Sequence, residues 1–376
     1  MRITDQQKTP MLTVVIPVYN GESYIEETLK AVLCSEYFNI EVMLIDDGSL
    51  DGSASICQRY EKMDGRVRYV RIENGGIVAA RNKGMELATG EYICFCDQDD
   101  IIESFMYQEV LNKMIQNDAQ IGMCSTGRWI DGDKSIYERL TEGCYMQHEI
   151  LEYLLYPLLF RGYRYPFVKQ DNYLYGTVWK CIFNRQFLVE HKLQFRRFVN
   201  YEDDWIFVTQ ALAQAQCAVT IKRIGYYWRV NSMSESHKEG FQLDIFEKFV
   251  ALDAYVFSYL SERMEEDILI KYKQIALCEH YADGYRNLSY AKTKQQRQIG
   301  KIEIKQYLIN SSYKEQLSCL KYLQNTAFRK KILYTALQYC GIRCTFLINK
   351  ILLLLEKQTI RMQWFVSWER NKKLKK

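Results

Sequence analysis

The chain has 376 residues, of which 48% are hydrophobic and 14% aromatic, with 29 Tyr. That excludes a disordered chain and suffices for one or two packed domains. The net charge of +4 is unevenly spread: residues 321–376 carry 13 Lys+Arg against 2 acidic residues, +11, which leaves −7 for the rest. A neutral-to-acidic body argues against nucleic-acid binding, which places its basic patch on the folded part, and turns the basic tail toward an anionic surface.

In chain order, residues 12–18, 42–45, 67–72, 91–96 and 120–125 read as short buried strands. Residues 23–35, 51–63, 77–89 and 104–117 between them have helical spacing. The alternation predicts parallel βαβ units with right-handed crossovers, an α/β fold with a mostly parallel sheet. Asp51 and Ser104 are expected helix N-caps, and Gly90 a helix C′ glycine. The first buried strand is expected to break at Pro17. Residues 126–240 lose the alternation and are rich in Tyr, Arg and Trp, as expected of a binding half with long loops.

After residue 241 the pattern is helical almost throughout: one or two amphipathic helices over 241–309, several more over 313–376. The run Ile342–Leu355 contains Arg343, Asn349 and Lys350, and is too short and interrupted to span a bilayer. Ile360, Trp364, Phe365 and Trp368 can share one helical face beside Arg361, Arg370 and four lysines. That suits a helix lying in a membrane interface, or equally a core-packed helix with a solvated basic end. The 12 Cys lack paired metal spacing, and the first apolar run is too short for a signal peptide. Reduced core thiols in a cytoplasmic protein are expected.

Two acidic clusters stand out. Asp46-Asp47-Gly48-Ser49 closes one apolar run and Asp97-Gln98-Asp99-Asp100 closes another. Strands that end in carboxylates place them at the C-terminal edge of the sheet, where ligands bind in open α/β folds. Such a cluster is costly unless a cation neutralises it, and a divalent ion with a diphosphate fits. Asp47 suits the N3–H of uracil, since Asp51 already provides the helix cap. Tyr19, in the turn Pro17-Val18-Tyr19-Asn20-Gly21-Glu22, offers a ring to a base. Asn74-Gly75-Gly76 leads into Ala79-Ala80-Arg81-Asn82-Lys83-Gly84, a close-approach turn at a helix start that favours anions. There Arg81 can orient the carboxylates or touch phosphate.

In order and spacing these four segments resemble the nucleotide half of the family-2 glycosyltransferases, down to Gly90-Glu91-Tyr92-Ile93 before the second acidic cluster. The resemblance covers residues 11–240 and includes bacterial surface-polysaccharide enzymes. It implies a GT-A-type domain over 1–240, with a nucleotide half at 11–125 and an acceptor half at 126–240, followed by a helical extension over 241–376. Tyr201-Glu202-Asp203-Asp204-Trp205 resembles the segment that supplies the family's catalytic base; Asp203 aligns with it, and Asp204 stays open as the alternative. Thr177-Val178-Trp179-Lys180-Cys181 departs from the family's Trp-x-Lys pattern, so Lys180 is a weak candidate for acceptor or phosphate contact. Tyr226-Tyr227-Trp228-Arg229 with Ser232-Met233-Ser234 resembles a late motif near the diphosphate.

What the resemblance implies is metal-dependent, inverting sugar transfer from a UDP-sugar donor to a glycan or lipid-linked acceptor. Asp99 would hold Mn²⁺ or Mg²⁺, and Asp97 would lie near the ribose and the metal. Pro17, Tyr19, Glu22, Asp47, Asn74, Arg81, Asp97 and Glu202 would line the nucleotide-sugar site. His237 is either a distal metal ligand or an ordinary loop histidine. The implied setting is cytoplasmic, at the inner face of the plasma membrane through the tail. A processive synthase would add membrane spans and a Gln-x-x-Arg-Trp motif, and a nucleotidyltransferase a glycine-rich triphosphate cradle near the N-terminus; neither pattern is found. The alternative from another class is a catalytically inactive nucleotide-sugar-binding subunit.

Overall fold

The computed structural model describes residues 9–130, 132–169, 174–199, 202–230, 240–310, 332–337, 339, 345–348 and 351. They fall into two compact units: one within 1–161, 166–237 and 258–263, the other within 162–165, 238–257 and 264–376. His237 and most of the basic tail, including Trp364, Phe365 and Trp368, lie outside the described residues.

The first unit is built on one mixed sheet. Its leading half comprises β1 (Leu12–Val18), α1 (Ile25–Leu33), β2 (Ile40–Asp46), α2 (Ser53–Met63), β3 (Val67–Arg71), α3 (Ile77–Leu87), β4 (Tyr92–Phe95), β5 (Ile101–Ile102) and α4 (Met106–Gln116). Then follow β6 (Ile121–Ile130), β7 (Asp133–Glu138), β8 (Gly143–Met146), α5 (Gln147–Ile150), a π turn over Leu151–Leu155, α6 (Tyr156–Leu159), β9 (Cys181–Asn184), α7 (Arg185–Glu190), α8 (Asp203–Gln214) and β10 (Cys217–Arg229). The strand order is β3-β2-β1-β4-β9-β6-β10-β5. The first four strands are parallel, as the alternation predicts; β9 enters antiparallel between β4 and β6, and β10 returns parallel to β6. β1 and β2 are buried along their whole length, which is why they read as unbroken apolar runs.

Several local expectations are corrected. The strand does not break at Pro17, which still pairs with Ile45. Val15 O accepts from Cys96 on the β4 side, so Pro17, two residues on, faces the same side after β4 has ended at Phe95. Its missing N–H therefore costs no ladder bond there. Ser104 is no cap: its hydroxyl donates to Glu36 Oε1 at 2.8 Å, and α4 starts after Phe105. Asp51 sits one residue outside the cap position of α2 but accepts the Ser53 N–H at 3.0 Å. Gly90 lies beyond the end of α3 and is needed for close approach, since a Cβ there would stand 2.7 Å from Met11 O. The described residues of 126–230 hold more regular structure than expected. They supply β7 to β10, and short turns and antiparallel pairing hid the period.

The second unit is helical, and the 241–309 segment holds three helices rather than one or two: α9 (Ile245–Leu260), α10 (Glu266–Ser289) and α11 (Lys294–Asn310). Gly284 lets Phe246 reach α10, because a Cβ would meet that ring at 2.3 Å. Asp253 and His280 pair at 2.9 Å, with Phe249 stacked on the imidazole at 4.2 Å. Among the described residues no helix is long and apolar enough to cross a membrane. Nine described cysteines are free thiols, seven of them buried.

Candidate active site

The loops after β1, β2 and β4 meet at the C-terminal edge of the parallel strands. The Tyr19–Glu22 turn and the Asp47–Ser53 turn are laced together. Asn20 N–H donates to Ser49 Oγ at 3.1 Å, Glu22 N–H to Asp51 at 3.0 Å, and Gly52 N–H to the Glu22 carboxylate at 2.9 Å. Glu22 is thus a strut between two loops. The Tyr19 backbone is clasped by Gln98, which accepts its N–H at 2.9 Å and donates to its carbonyl at 3.0 Å, while the ring stays 38% exposed. Gly21 permits this clasp, since a Cβ would overlap Gln98.

The first acidic pair divides its labour. Asp46 is fully buried and satisfied by Tyr69, Arg71 and the Ser49 N–H, so it is structural. Asp47 accepts the N–H groups of Gly75 and Gly76 at 2.7 and 2.9 Å, and Asn74 Nδ2 donates to its carbonyl at 2.9 Å. Asp47 and Asn74 therefore fix the glycine turn that opens α3. Gly76 has φ +81 there, a value that disfavours side chains. A carboxylate has about four acceptor positions, so Asp47 keeps capacity for a further donor.

The second cluster divides likewise. Asp100 is fully buried, accepts from Tyr226 Oη and the Arg229 N–H at 2.8 Å each, and has its pKa raised well above the carboxylate range by burial and by Asp99 and Asp97. Tyr226 Oη also accepts the Asp97 N–H at 3.1 Å, and Trp179 stacks on its ring at 4.4 Å. The late Tyr-Tyr-Trp-Arg segment thus shapes the aspartate turn. Asp97 and Asp99 are half-buried at its rim.

Arg81 joins this turn to the start of α8. Its guanidinium is 2% exposed, reaches Asp97 at 3.0 Å and Asp203 at 3.3 Å, and is also hydrogen-bonded to Asp204. Burial opposes its charge, but Asp204, Asp97 and Asp203 outweigh that and hold its pKa above the usual arginine value. Asp203 lies in the first turn of α8, where the helix dipole favours a carboxylate, and Arg197 approaches it at 3.2 Å. Asp204 also accepts the Val178 N–H at 3.2 Å; burial pushes it up to about 6, Arg81 pulling down and Asp203 and Asp97 pushing up. Glu202 occupies the N-cap position of α8. Beneath, Phe95, Phe195 and Phe207 pack together, with Phe195 and Phe207 stacked at 4.1 Å.

The structure brings Arg81, Asp97, Asp203 and Asp204 into direct contact and sets Tyr19, Asp47, Asn74 and Asp99 on the same edge. Pro17 is buried in β1. Lys180 is not available to a ligand: it is fully buried in a bidentate pair with Glu138 at 2.6 and 2.7 Å. Arg197 was not singled out by sequence reasoning, and the basic Arg196-Arg197 pair just before the Glu-Asp-Asp segment was the available signal; Tyr226 was singled out with its segment, but not as a bridge between Asp97 and Asp100.

Two rim carboxylates, Asp97 and Asp99, suit a hard divalent cation. Magnesium-like ions bind through one or two carboxylates plus substrate phosphates, not through a full protein cage. Among the described residues no cluster of three or more acidic, His or Cys ligands forms.

The glycosyl transferase family 2 profile matches residues 13–190. A Haemophilus influenzae protein described as an uncharacterized glycosyltransferase is 34% identical over 182 residues, 44% of this chain and 70% of that one. The chain belongs to glycosyl transferase family 2. This transferase is also 26% identical to the uncharacterized glycosyltransferase EpsJ of Bacillus subtilis over 344 residues, 90% of this chain and 95% of EpsJ. Among solved structures, S. aureus TarS 1–349 in complex with UDP-GlcNAc superimposes with a TM-score of 0.63 at 16% identity, covering 90% of each chain. That likeness supports the GT-A-type fold of the transferase.

Proposed function

We propose that this transferase moves a sugar from a UDP-sugar to a hydroxyl of a glycan or lipid-linked acceptor, with inversion and with a divalent cation, in the assembly of surface polysaccharide. The observation that carries the reading is the single guanidinium of Arg81 bound to Asp97, of the Asp-x-Asp turn, and to Asp203, of the Glu-Asp segment. Donor-side and acceptor-side carboxylates are thereby held in one frame. TarS, whose fold is similar, has been solved with UDP-GlcNAc.

In this reading Tyr19 offers its ring to the uracil, and Asp47 accepts the uracil N3–H while holding the glycine turn. Asp99, with Asp97 beside it, would hold the divalent cation, which would supply charge neutralisation at the diphosphate. Asp203, oriented by Arg81 and Arg197, takes the acceptor hydroxyl proton on the face opposite the leaving group. A single displacement inverts the anomeric centre.

The test is thermal shift with a panel of UDP-sugars and Mn²⁺, because a ligand of the native state raises stability by mass action. UDP and at least one UDP-sugar should raise Tm in a Mn²⁺-dependent way. No response to UDP or to any UDP-sugar would remove the reading.

A further inference from the structure

An aromatic–guanidinium stack borders the carboxylate cluster and has no part in the mechanism above. Tyr137 and Tyr175 stack at 4.4 Å with 27° between rings. Arg128 lies 4.2 Å over Tyr137, and Arg161 lies 4.6 Å over Tyr175. Groups this close cannot share one ring face, so the order is Arg128, Tyr137, Tyr175, Arg161. Trp228, opposite Arg128 in the β6–β10 register, closes one side at 5.8 Å from Tyr137.

The chain aims Tyr137 into the stack with a bulge. Thr126 pairs with Glu138 and Gly127 with Ile136, so Tyr137 is the extra residue. Bulges next to active sites re-aim side chains in this way. The stack is tied to the aspartate turn on one side and to the buried Lys180–Glu138 pair on the other. The residue after Trp228, Arg229, donates its N–H to Asp100. Tyr175 donates its N–H at 2.8 Å to Glu138, the partner of buried Lys180.

Both tyrosine rings are covered on both faces, so the stack offers no flat platform for a sugar. What it presents is two guanidiniums, each centred within cation–π range of a ring, Arg161 exposed and Arg128 half-buried. Cation–π stacking favours that placement and keeps the fork available for a planar anion. Arg128 Nε is buried and has no hydrogen-bond partner among the described residues.

We propose that Arg128 and Arg161 are specificity-determining residues for the acceptor, and that the acceptor is a glycan carrying carboxylates on separate sugar residues. The two forks stand two ring layers apart, too far to share one carboxylate. The inference rests on the transferase reading and names the acceptor class for the same site.

The test compares a hyaluronan tetrasaccharide, with uronates on alternate sugars, and neutral chitotetraose by saturation-transfer NMR. The full chain and its Arg161→Gln, Arg161→Lys and Arg128→Gln variants are used. Arg161 is exposed, so its variants are expected to fold. The wild type should prefer the uronate probe, and each Gln variant should weaken that binding roughly tenfold, the scale of one charged hydrogen bond, while chitotetraose binding stays unchanged. Arg161→Lys should fall between, having charge without the fork. Equal binding of both probes by the wild type, or uronate preference unaltered in Arg161→Gln, would overturn the proposal and leave the stack a brace for β7. UDP-induced thermal shift in the same variants should be unchanged. Its absence in the wild type would count against the transferase reading and not against the uronate preference.

Discussion

Arg81 Nη1 stands 3.3 Å from Asp203 Oδ2, although 122 residues of chain separate them. The same guanidinium binds Asp97 and Asp204, so three carboxylates share one buried cation. Replacing Arg81 by Gln leaves these carboxylates without their counter-charge. Breaking a buried pair in this way typically costs about 3–5 kcal/mol. Arg81→Gln should therefore shift the urea midpoint of the first unit strongly downward. Arg81→Lys should restore part of the stability but not the three-way geometry. An unshifted midpoint in Arg81→Gln would mean that the cluster does not hold the unit together.

The pH dependence of stability follows from Asp204. Its pKa in the folded chain is about 6, above the ordinary carboxylate value near 3.8. Between those values the folded state binds more protons than the unfolded state, so this group's contribution falls as pH rises through the window and levels off above about 6. Buried Asp100, also raised, acts in the same direction, whereas Glu41 and Asp64, held low, act oppositely as pH falls. Asp204→Asn should flatten the decline between pH 4 and 6 relative to wild type. Parallel stability curves for the two proteins would refute the assignment.

Asp99 carries the metal reading. Asp99→Asn should abolish Mn²⁺-dependent binding of UDP and leave the fold intact, because Asp99 lies at the rim of the turn while Asp100 anchors it. Calorimetry showing unchanged UDP and Mn²⁺ binding would move the metal elsewhere.

The basic tail invites a separate measurement. Each basic residue near an anionic leaflet contributes about 1 kcal/mol, less at high salt. The full chain should co-sediment with anionic liposomes at low salt, and removal of residues 358–376 should release it. A full chain left in the supernatant at low salt would mean that the tail has no membrane role.

The sequence carried much of this frame and hid the rest for physical reasons. β1 and β2 were legible because parallel strands buried on both faces are unbroken apolar runs. The acidic turns were legible as clusters, but not which member does what. Asp46 and Asp100 are buried by partners on other strands, Arg71 and Tyr226, that no local pattern connects to them. Lys180 looked like a ligand contact because Glu138, its partner, lies 42 residues away. Gly90 looked like a helix end, whereas its small size serves the neighbouring backbone of Met11 and Thr13. Long-range pairing escapes a one-dimensional pattern in each of these cases.

The most direct test of the account is UDP release from the UDP-sugar that thermal shift selects, for wild type, Asp203→Asn and Asp204→Asn, with donor affinity measured alongside. Asp203→Asn keeps the shape and removes the base. Its donor affinity should hold while turnover drops by roughly two to four orders of magnitude. Asp204→Asn should lose far less. Turnover retained in Asp203→Asn and lost in Asp204→Asn would contradict the assignment of the base to Asp203, and wild-type turnover of zero with intact donor binding would make the chain a nucleotide-sugar-binding subunit.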